Sequence, residues 1–322
     1  MKALVTGATG FVGSHLAEAL RHRGDEVTVL ARSARKAEAL RPLGVAVVEG
    51  DLHGTAALER AVEGQDVIFH VAGMIAARDE SEFLRANRLG TVNLVTAAER
   101  AGRPRFVLVS SMAAAGPAVR GRPLDGSEAP HPVTAYGRSK LAAEQAVTAS
   151  ALPWSIVRPP TVYGPRDREV LKVFRIVRLG IAPVFGDGTQ ELSAVHGADL
   201  ADALVAAGTA AAAVGRVYYA CHPEVFTSGA FVRAVGAAMG RRVAVVGVPR
   251  SVGRALLGLT EAGARLVARP TILTRDKAHE FFQPAWTGDP EPLARDTGWR
   301  ARHDLESGLA DTYRWYRSAG WL

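Results

Sequence analysis

Cysteine, lysine and long apolar runs are scarce in this chain of 322 residues. Cys221 is the only cysteine, so an internal disulfide and a cysteine-based metal site are both excluded, and we expect no metal. The uncharged stretch 203–215 is rich in alanine and shorter than the about 20 apolar residues that a membrane-spanning helix needs. We therefore expect no membrane partner.

The start and the composition of the sequence are typical of a globular protein. Met1 and Lys2 lead directly into the apolar residues 3–5, which leaves no room for a secretion signal and predicts a cytoplasmic location. Hydrophobic residues make up 48% of the chain and charged residues 22%, so a disordered or low-complexity chain is excluded. The length allows one large domain or two unequal domains.

Positive charge is carried mainly by arginine. Of the 39 basic residues only five are lysines, at positions 2, 36, 140, 172 and 277, and the formal net charge is +7. The arginines are scattered along the chain, which favours a solvated surface over a nucleic-acid patch, so we expect no nucleic-acid partner. Attraction of a phosphate-bearing cofactor or substrate is the alternative use of this charge.

Apolar runs and helical patterns alternate through the first half of the chain. Short apolar runs predict strands at 2–6, 26–30, 45–49, 67–71, 106–110 and 154–158. Apolar residues at helical spacing predict helices at 11–23, 55–62, 80–101 and 135–149. Continuous apolar strands separated by helices are typical of parallel strands buried on both faces. The sequence therefore predicts an α/β fold with a doubly wound parallel (Rossmann) sheet.

The pattern becomes irregular after residue 159, where proline and glycine cluster. Residues 217–220 are apolar enough to add a strand to the main sheet. We predict a dinucleotide-binding domain over 1–165, to which about 192–222 returns. A smaller, discontinuous α/β substrate domain is predicted over 166–191 and 223–322.

One helical stripe in the second half has two interpretations. Residues 252–268 place Leu256, Leu259, Leu266 and Val267 on one side of a predicted helix. The stripe either packs on the core or forms an apolar wall or lid over a substrate.

A glycine-rich turn follows the first predicted strand. Gly7, Gly10 and Gly13 lie between the strand 2–6 and the first predicted helix. Gly7 permits a tight turn, Gly10 lets the backbone approach a pyrophosphate, and Gly13 lets the helix pack on the strand. The free amides of the helix N-terminus attract the anion. In this context the pattern predicts a dinucleotide site, and a purely structural turn is the alternative.

A tyrosine and a lysine lie four residues apart in the predicted helix 135–149. Tyr136 and Lys140 therefore share one helix face. A lysine in an arginine-rich chain indicates chemistry, because its compact ammonium can reach both a phenol and a ribose hydroxyl. A cation beside the phenol favours the phenolate and moves its pKa toward a useful acid–base range.

Three further polar residues are candidates for the same site. Ser110 and Ser111 end the fifth predicted strand, and the carboxyl ends of strands in a doubly wound sheet face the ligand crevice. A hydroxyl there can hold a substrate oxygen beside Tyr136. Asn87, inside the predicted helix 80–101, is a poor helix former and is either functional or surface exposed.

Together these motifs resemble the extended short-chain dehydrogenase/reductase superfamily, in its NAD(P)-dependent epimerase/dehydratase branch. The glycine turn, the Tyr136/Lys140 pair and the segment 158–165 occur in the family's order, and the resemblance covers nearly the whole chain. The resemblance implies a catalytic tetrad in which Ser111, rather than the serine before it, and Asn87 join Tyr136 and Lys140.

The resemblance also implies a bound nicotinamide cofactor. Asp51 would meet the adenine amino group, and Val162 would contact the nicotinamide amide. Ala72 and Gly73 would line the adenosine ribose. The full set of residues expected to contact the cofactor is Gly7, Thr9, Gly10, Phe11, Val12, Gly13, Arg32, Ser33, Asp51, Leu52, Val71, Ala72, Gly73, Ser110, Tyr136, Lys140, Pro159, Thr161 and Val162.

NADP rather than NAD is the expected cofactor. NAD-specific relatives carry an acid at the end of the second strand, where it hydrogen-bonds the ribose hydroxyls. Here Arg32 and Ser33 follow the second predicted strand, and no acid stands at that point. Arg32 can grip a 2′-phosphate and Ser33 can add a donor, while the alternative is an Arg32 that points to water.

Departures from sugar-nucleotide relatives narrow the expected substrate. Thr161 stands where those relatives have Asn, and Leu192 stands where they have Arg. In the relatives, that Asn and that Arg hold the substrate diphosphate. Met112 and two alanines follow Ser111, where sugar 4,6-dehydratases have an Asp-Glu pair. The chain resembles instead the dihydroflavonol-reductase and 3β-hydroxysteroid-dehydrogenase-like branch, whose substrates are apolar ketones or secondary alcohols.

The expected function is that of an NAD(P)-dependent oxidoreductase acting on an apolar, non-nucleotide small molecule. A hydride would pass between the nicotinamide and a ketone or secondary alcohol. Ser111 would hydrogen-bond the oxygen, Tyr136 would transfer the proton, and Lys140 would lower the pKa of the phenol. His70 and His196 are expected to be structural. A nucleotide-sugar epimerase and a non-catalytic NAD(P)-sensing protein are the alternatives.

A homodimer is expected through the helices that begin near residues 80 and 136. In the family, two such helices from each subunit form a four-helix interface. The small and apolar residues expected to face outward are Leu94, Ala97, Ala98, Leu141, Ala142 and Val147.

Overall fold

The computed structural model describes residues 1–266 and 271–322. Within these ranges the strands are β1 (Lys2–Thr6), β2 (Glu26–Ala31), β3 (Ala46–Glu49), β4 (Val67–His70), β5 (Arg105–Val109), β6 (Trp154–Val157), β7 (Thr161–Tyr163), β8 (Ile181–Phe185), β9 (Glu191–Leu192), β10 (Ala194–His196), β11 (Arg216–Tyr218), β12 (Phe226–Thr227), β13 (Ala244–Val248) and β14 (Ala285–Trp286).

The α-helices of the same ranges alternate with these strands in the first half and mix with them in the second. They are α1 (Phe11–His22), α2 (Ala34–Ala37), α3 (Thr55–Val62), α4 (Glu80–Phe83), α5 (Gly90–Arg100), α6 (Met112–Ala115), α7 (Ala135–Thr148), α8 (Glu169–Val177), α9 (Gly197–Thr209), α10 (Ser228–Ala238), α11 (Arg250–Leu266), α12 (Ala278–Phe281), α13 (Glu291–Thr297) and α14 (Leu305–Ser318).

Seven parallel strands form the main sheet, in the spatial order β3-β2-β1-β4-β5-β6-β11. Side chains on both faces of the central strands are buried, as the continuous apolar runs predict for parallel strands, whereas the edge strand β3 is largely exposed. In β1, for example, Ala3, Leu4 and Val5 are all buried. The predicted α/β fold with a doubly wound parallel sheet is confirmed.

Helices cover both faces of the sheet. On one face α1 and α9 pack against side chains such as Val5 and Val29. On the other face α3, α5 and α7 pack against the intervening residues such as Leu4 and Ile68. Because successive strand residues point to opposite faces, each strand contributes to both layers of the core.

The order of strands reverses between β1 and β4, which are neighbours in the sheet but not in the chain. The chain runs outward from β1 to β3 on one side and from β4 to β6 on the other. At such a reversal the loops that follow the strands diverge and leave a crevice at the carboxyl edge. The glycine turn after β1 and the loop after β4 both lie at this crevice.

The helix predicted at 80–101 is divided by a π-helical segment. Helix α4 ends at Phe83, a π-helical stretch runs over Leu84–Leu89, and α5 begins at Gly90. Such wide turns are rare in helices and occur frequently at functional sites. The segment contains Asn87, which is buried, so the surface-exposed alternative for this residue is wrong.

The second half of the chain builds smaller sheets around a separate cluster of apolar side chains. β8 pairs with β13 in a parallel two-stranded ribbon, and β9 lies between β12 and β14. Helices α8, α10 and α14 supply most of the apolar cluster behind these strands, which includes Phe174 and Tyr316. The domain boundaries given from the sequence stay a prediction.

Helix α11 leaves the first two residues of its predicted stripe exposed, and the side chain of Leu266 lies outside what the structure describes. Leu256 and Leu259 are exposed, whereas Leu257 is buried. The interpretation that this stripe packs on the core is therefore wrong for its first two residues. Val267 and residue 268 lie outside the described residues. No helix in the described ranges combines the length and hydropathy that are needed to cross a bilayer.

The faces of α5 and α7 also differ from the expectation. Leu94, Ala97, Ala98 and Val147 are buried against the main sheet rather than facing outward. Only Leu141 and Ala142 of the expected residues are partly accessible. The most apolar side of each helix packs against the sheet. The sequence pattern of a single helix does not reveal that contact.

Candidate active site

The glycine turn has the shape of an anion cradle. Gly7 has a φ of +74°, and a Cβ there would lie 2.7 Å from the amide nitrogen of Ala72. A Cβ on Gly13 would lie 2.2 Å from the carbonyl oxygen of Gly7, so only glycine lets α1 start so close to the strand. Gly10 is the N-cap and has no side chain to cap the helix. The first amides of α1 are thus open to a phosphate, and the turn fits a dinucleotide.

The other predicted residues of the turn line its outer side. Thr9 is exposed, and Phe11 and Val12 are partly accessible at the start of α1. Their backbone amides belong to the same helix N-terminus, where an anion is favoured by the aligned peptide dipoles.

Three side chains form a hydrogen-bonded chain beneath the crevice. The ring of His70 lies between the hydroxyls of Thr6, 2.8 Å from Nδ1, and Thr91, 2.9 Å from Nε2. Thr91 donates to the carbonyl oxygen of Asn87 at 2.6 Å, and Thr6 accepts from the amide of Ala72 at 3.2 Å. Burial, with the charge of the nearby lysine, lowers the pKa of His70 to about 3, so the ring is neutral. His70 thus joins β1, the loop after β4 and the π-helical segment.

Asn87 fastens the loop after β4 to α7. Its Oδ1 accepts from the amide of Met74 at 2.7 Å, and its Nδ2 donates to the Met74 carbonyl at 3.0 Å. The same Nδ2 donates to Ser139 Oγ at 2.9 Å. The Asn87 side chain therefore fixes the position of the loop that contains Val71, Ala72 and Gly73.

Lys140 is buried at the centre of the candidate site. Its Nζ donates to the carbonyl oxygen of Val109 at 2.7 Å. Burial lowers the pKa of Lys140 to about 8, and the charge of Glu144 acts in the opposite direction. A Cβ on Gly73 would lie 3.5 Å from this Nζ and 3.4 Å from Asn87 Oδ1. Gly73 therefore leaves the space beside both polar groups open toward the crevice.

The hydroxyl of Ser111 and the carboxylate of Glu280 both act on the pKa of Tyr136. Burial raises the pKa of Tyr136 to about 12, the Ser111 hydroxyl acts to lower it, and the charge of Glu280 raises it. The sequence predicts that Lys140 lowers the pKa of the Tyr136 phenol. That ammonium instead donates to the Val109 carbonyl, and the protein groups around the phenol favour its neutral form.

Comparison with known proteins identifies the family of the chain. Residues 3–221 match the family described as the NAD dependent epimerase/dehydratase family. The chain belongs to this family. Membership makes the protein an enzyme of a nicotinamide-dependent oxidoreductase and epimerase superfamily, and the resemblance stated from the motifs is confirmed.

Two curated relatives cover almost the full length of the chain. The chain is 35% identical to the ceramide reductase of Caulobacter vibrioides over 320 residues, which is 99% of this chain and 95% of the relative. It is 30% identical to the 2-alkyl-3-oxoalkanoate reductase of Stenotrophomonas maltophilia over 335 residues, which is 96% of this chain and 97% of the relative.

Solved structures show the same fold with a nicotinamide cofactor. The UDP-glucose 4-epimerase of Thermus thermophilus, solved in complex with NAD, superposes with a TM-score of 0.79 at 25% identity. The superposition covers 99% of this chain and 100% of that chain. Reductases and epimerases of the family therefore share one scaffold, and local residues must distinguish them.

Residues expected at the adenosine end meet at one edge of the sheet. Ala31, the last residue of β2, accepts a hydrogen bond from the Gly50 amide at 2.9 Å, which brings the ends of β2 and β3 together. Arg32 is exposed directly after β2, and Asp51 is exposed after β3. Ser33 is the N-cap of α2.

Two of these side chains already have backbone partners. Ser33 Oγ accepts from the amide of Lys36 at 3.3 Å, and Asp51 Oδ1 accepts from the amide of His53 at 2.8 Å. Leu52 lies partly buried against Gly90, where a Cβ would be 2.9 Å from its Cδ1. Arg32 is an exposed cation beside these two side chains.

Ser110 points away from the crevice. Its hydroxyl donates to the Glu144 carboxylate, which is also held by Arg158 through two hydrogen bonds of 2.9 and 2.7 Å. Arg158 further donates to Glu128, which is partly buried, at 3.0 Å. Only the backbone of Ser110 is left to contact a cofactor.

Thr161 and Leu192, the two departures from sugar-nucleotide relatives that the sequence predicts, lie in β7 and β9. Thr161 is exposed at the start of β7, with Val162 partly buried after it and the buried Pro159 before it. Leu192 lies in β9 and packs against the apolar cluster that includes Phe226. An apolar side chain therefore occupies the position where the resemblance implies an arginine in sugar-nucleotide relatives.

The segment 276–280, which the sequence does not predict as part of the site, contacts the start of α7. The Ala135 amide donates to Asp276 Oδ2 at 2.9 Å, and Thr134 Oγ1 donates to Glu280 Oε1 at 2.6 Å. Lys277 pairs with Glu280, and its Nζ lies 5.5 Å from the centroid of the Tyr136 ring. The scarcity of lysine is the signal that could have pointed to Lys277.

His196 is the last residue of β10 and lies among other aromatic and imidazole rings. Its ring centroid is 4.2 Å from that of His303 and 5.6 Å from that of Tyr163. Burial lowers the pKa of His196 to about 4. A neutral ring among other rings, at the start of α9, agrees with the structural role expected for this residue.

Proposed function

We propose that the protein is an NAD(P)-dependent oxidoreductase that interconverts a ketone and a secondary alcohol in an apolar, non-nucleotide substrate. The observation that carries the proposal is the buried Lys140, one helical turn from Tyr136, with the Ser111 hydroxyl close enough to the phenol to act on its pKa. A hydroxyl pair of this kind can hold one substrate oxygen and exchange a proton with it.

Each of the four polar residues has a defined task in this reaction. When bound, the nicotinamide cofactor supplies the hydride in reduction and accepts it in oxidation. Ser111 donates a hydrogen bond to the carbonyl oxygen, and the Tyr136 hydroxyl gives its proton to the same oxygen as the alcohol forms. Lys140, with a pKa of about 8, can return a proton toward the phenolate near neutral pH. Asn87 positions the loop that faces Lys140.

NADP is the proposed cofactor. An exposed arginine directly after β2, and the lack of an acid at that point of the sequence, support a site for the 2′-phosphate. An acidic residue there would repel this phosphate, so its replacement by Arg32 favours NADP in two ways.

The substrate is proposed to be a lipid-like ketone or alcohol. Thr161 and Leu192 supply no charge for a diphosphate, and Met112 with two alanines follows Ser111. The ceramide reductase and the 2-alkyl-3-oxoalkanoate reductase that resemble this chain are both named for substrates with hydrocarbon chains.

NADPH oxidation with a substrate panel tests the proposal. The panel contains 3-oxoacyl esters of increasing chain length and UDP-glucose, each measured with wild type, Tyr136→Phe and the control Tyr313→Phe. We expect kcat/KM to increase with chain length in wild type and in Tyr313→Phe, and turnover to be lost in Tyr136→Phe. Turnover of UDP-glucose with no ketone reduction would contradict the proposal.

Nucleotide-sugar epimerisation is the second candidate, because the solved UDP-glucose 4-epimerase shares the fold over the whole chain. Calorimetric titration with UDP distinguishes the two candidates. We expect no low-micromolar binding of UDP, and such binding would promote epimerisation to the first place.

We also propose a homodimer through α5 and α7. The outward sides of these helices form a groove with small or apolar side chains: Val92, Thr96, Ala142, Ala146 and Ala149. Small side chains let helices from two subunits approach closely, so the dimer proposed from the sequence is kept, with Ala142 as the contact residue common to both sets.

A further inference from the structure

The β8/β13 ribbon has an apolar outward face. Ile181 lies directly opposite Ala244, and Pro183 lies directly opposite Val246. All four side chains are exposed. Alternate residues of a strand share a face, so these four positions form one apolar surface, whereas the solvated face of a ribbon is usually polar.

Helix α11 continues this apolar surface along the chain, with only Pro249 between β13 and the helix. Val252, Leu256 and Leu259 are exposed and follow one another at intervals of four and three residues. They therefore share one side of the helix, while Leu257 is buried on the other side. An amphipathic helix normally turns its apolar side to the core, and this helix turns an apolar stripe outward.

The segments that build this face are basic, and Glu261 in α11 is their one acid. Between Glu224 and Glu261 the sequence has five arginines and neither aspartate nor glutamate. Residues 170–186, which include β8, have one lysine, two arginines and again no acid. Arg241 donates to the carbonyl oxygen of Arg178 at 3.2 Å, so the two basic segments meet at the start of the ribbon. Positive charge therefore accompanies the exposed apolar side chains.

The inner side of α11 leads to the candidate active site. A Cβ on Gly253 would lie 2.7 Å from the ring of Phe282, so the helix rests closely on this ring. Phe185, at the end of β8, stacks on Phe281 with ring centroids 4.5 Å apart. Phe281 ends α12, which is hydrogen-bonded to the N-terminus of the helix that carries Tyr136. An aromatic group thus joins the basic apolar face to the site.

We propose that the face formed by β8, β13 and α11 docks on the surface of an anionic phospholipid bilayer. The exposed leucines, isoleucine and valines enter the boundary between headgroups and acyl chains, and the arginines pair with lipid phosphates. The protein lies on the bilayer and does not span it, so the proposal departs from the expectation of no membrane partner. The docked face brings the aromatic group and the site behind it close to apolar substrates dissolved in the bilayer.

Co-sedimentation with vesicles tests this docking without any turnover. The full chain is mixed with vesicles of phosphatidylcholine alone or with about one third phosphatidylglycerol, at low and high salt. We expect binding to the anionic vesicles that weakens at high salt, and a several-fold weaker binding to neutral vesicles. Failure to bind anionic vesicles at low salt would overturn the proposal.

A matched pair of double variants tests the location of the surface. Leu256→Asp with Leu259→Asp changes side chains that are 50% and 70% exposed. The control, Val214→Asp with Val119→Asp, changes side chains that are 47% and 66% exposed and adds the same charge. We expect the first pair to lower the vesicle partition coefficient about tenfold and the control to lower it less than about twofold. Equal losses in both would refute the assignment of the face.

Two further measurements separate the remaining outcomes. Arg241→Gln with Arg242→Gln should weaken binding to anionic vesicles several-fold and leave the melting temperature unchanged. If Leu256→Asp with Leu259→Asp changes the solution mass by light scattering, the face binds a second copy of the chain and the proposal is wrong. The same variant should reduce a short, water-soluble ketone at the wild-type rate, so loss of vesicle binding is distinguished from failure of the proposed oxidoreductase function.

Discussion

The ammonium nitrogen of Lys277 lies 5.5 Å from the centroid of the Tyr136 ring and is paired with the carboxylate of Glu280. The two charges act on the phenol in opposite directions, because a cation favours the phenolate and an anion disfavours it. The charge of Glu280 raises the pKa of Tyr136.

Opposite shifts of the pH profile are expected from the two members of this pair. Glu280→Gln removes the anion and should move the pH dependence of alcohol oxidation to lower pH, since the phenolate is the base in that direction. Lys277→Met leaves the carboxylate unpaired and should move the profile to higher pH. The measurement is kcat against pH for each variant.

Lys172→Met is the matched control for this prediction, because Lys172 forms the same kind of pair with Glu169, three residues earlier, far from the site. Its pH profile should coincide with that of wild type. Shifts of the same sign in Glu280→Gln and Lys277→Met would show that the pair does not act through charge.

We expect turnover to depend on the Tyr136 hydroxyl. Cofactor binding should not depend on it. Tyr136→Phe removes the group that carries the proton, so kcat should fall by about 10²–10⁴-fold. The Kd for NADPH should stay within about twofold of wild type, because the glycine turn is unchanged. More than about a tenth of the wild-type activity in Tyr136→Phe would remove this residue from the mechanism.

Discrimination between the two nicotinamide cofactors is expected to depend on Arg32. Arg32→Ala should weaken NADPH binding by about 1.5–3 kcal/mol, the contribution of a hydrogen bond to a charged group, and weaken NADH binding much less. The dissociation constants are measured by fluorescence titration, with Arg41→Ala as an exposed control. Equal losses for both cofactors, or tighter NADH binding by wild type, would reject NADP.

Stability is expected to fall on acidification before the carboxylates titrate. Burial lowers the pKa of His15 and of His196 from the usual 6.5 to about 4, and that of His70 to about 3. Below pH 6.5 the unfolded chain takes up protons that the folded protein does not, so the free energy of unfolding decreases until about pH 4. Each histidine contributes a slope of up to about 1.4 kcal/mol per pH unit.

Urea unfolding between pH 7.5 and 5 measures this slope. His196→Gln should reduce the slope relative to wild type, because one of the titrating groups is removed. His53→Gln, which changes an exposed histidine, should leave the slope unchanged. A slope that is the same in all three proteins would contradict the prediction.

The oligomeric state is expected to depend on the groove between α5 and α7. Wild type should have the mass of a dimer in light scattering at micromolar concentration. Ala146→Arg places a long charged side chain in the groove and should give a monomer, whereas Ala237→Arg on the exposed side of α10 should not. A monomeric wild type would refute the dimer.

Local sequence patterns predict the main sheet and its helices well. The helix predicted at 55–62 is α3 without change, and the strand predicted at 2–6 is β1. These elements are specified by apolar residues that recur within one segment, so periodicity within the segment is sufficient. The glycine turn and the Tyr136/Lys140 pair are local patterns too, which is why they could be recognised.

Features that depend on distant residues could not be read from the sequence. The π-helical segment around Asn87 keeps an almost helical apolar spacing, so the pattern predicts one continuous helix. The apolar sides of α5 and α7 face the sheet, and the stripe of α11 faces outward, because neighbouring elements decide which side is covered. Lys277 reaches Tyr136 across 141 positions of the chain, and no local pattern encodes that contact.

The cap of α7 comes from the far end of the chain. The carboxylate that accepts from the amide of Ala135 belongs to Asp276, 141 positions later, and Glu280 accepts from Thr134. A ribosome makes all seven strands of the main sheet, which ends with Tyr218 in β11, before it makes either acid. The cofactor turn can therefore form during synthesis before the two acids that complete the surroundings of Tyr136 have been made.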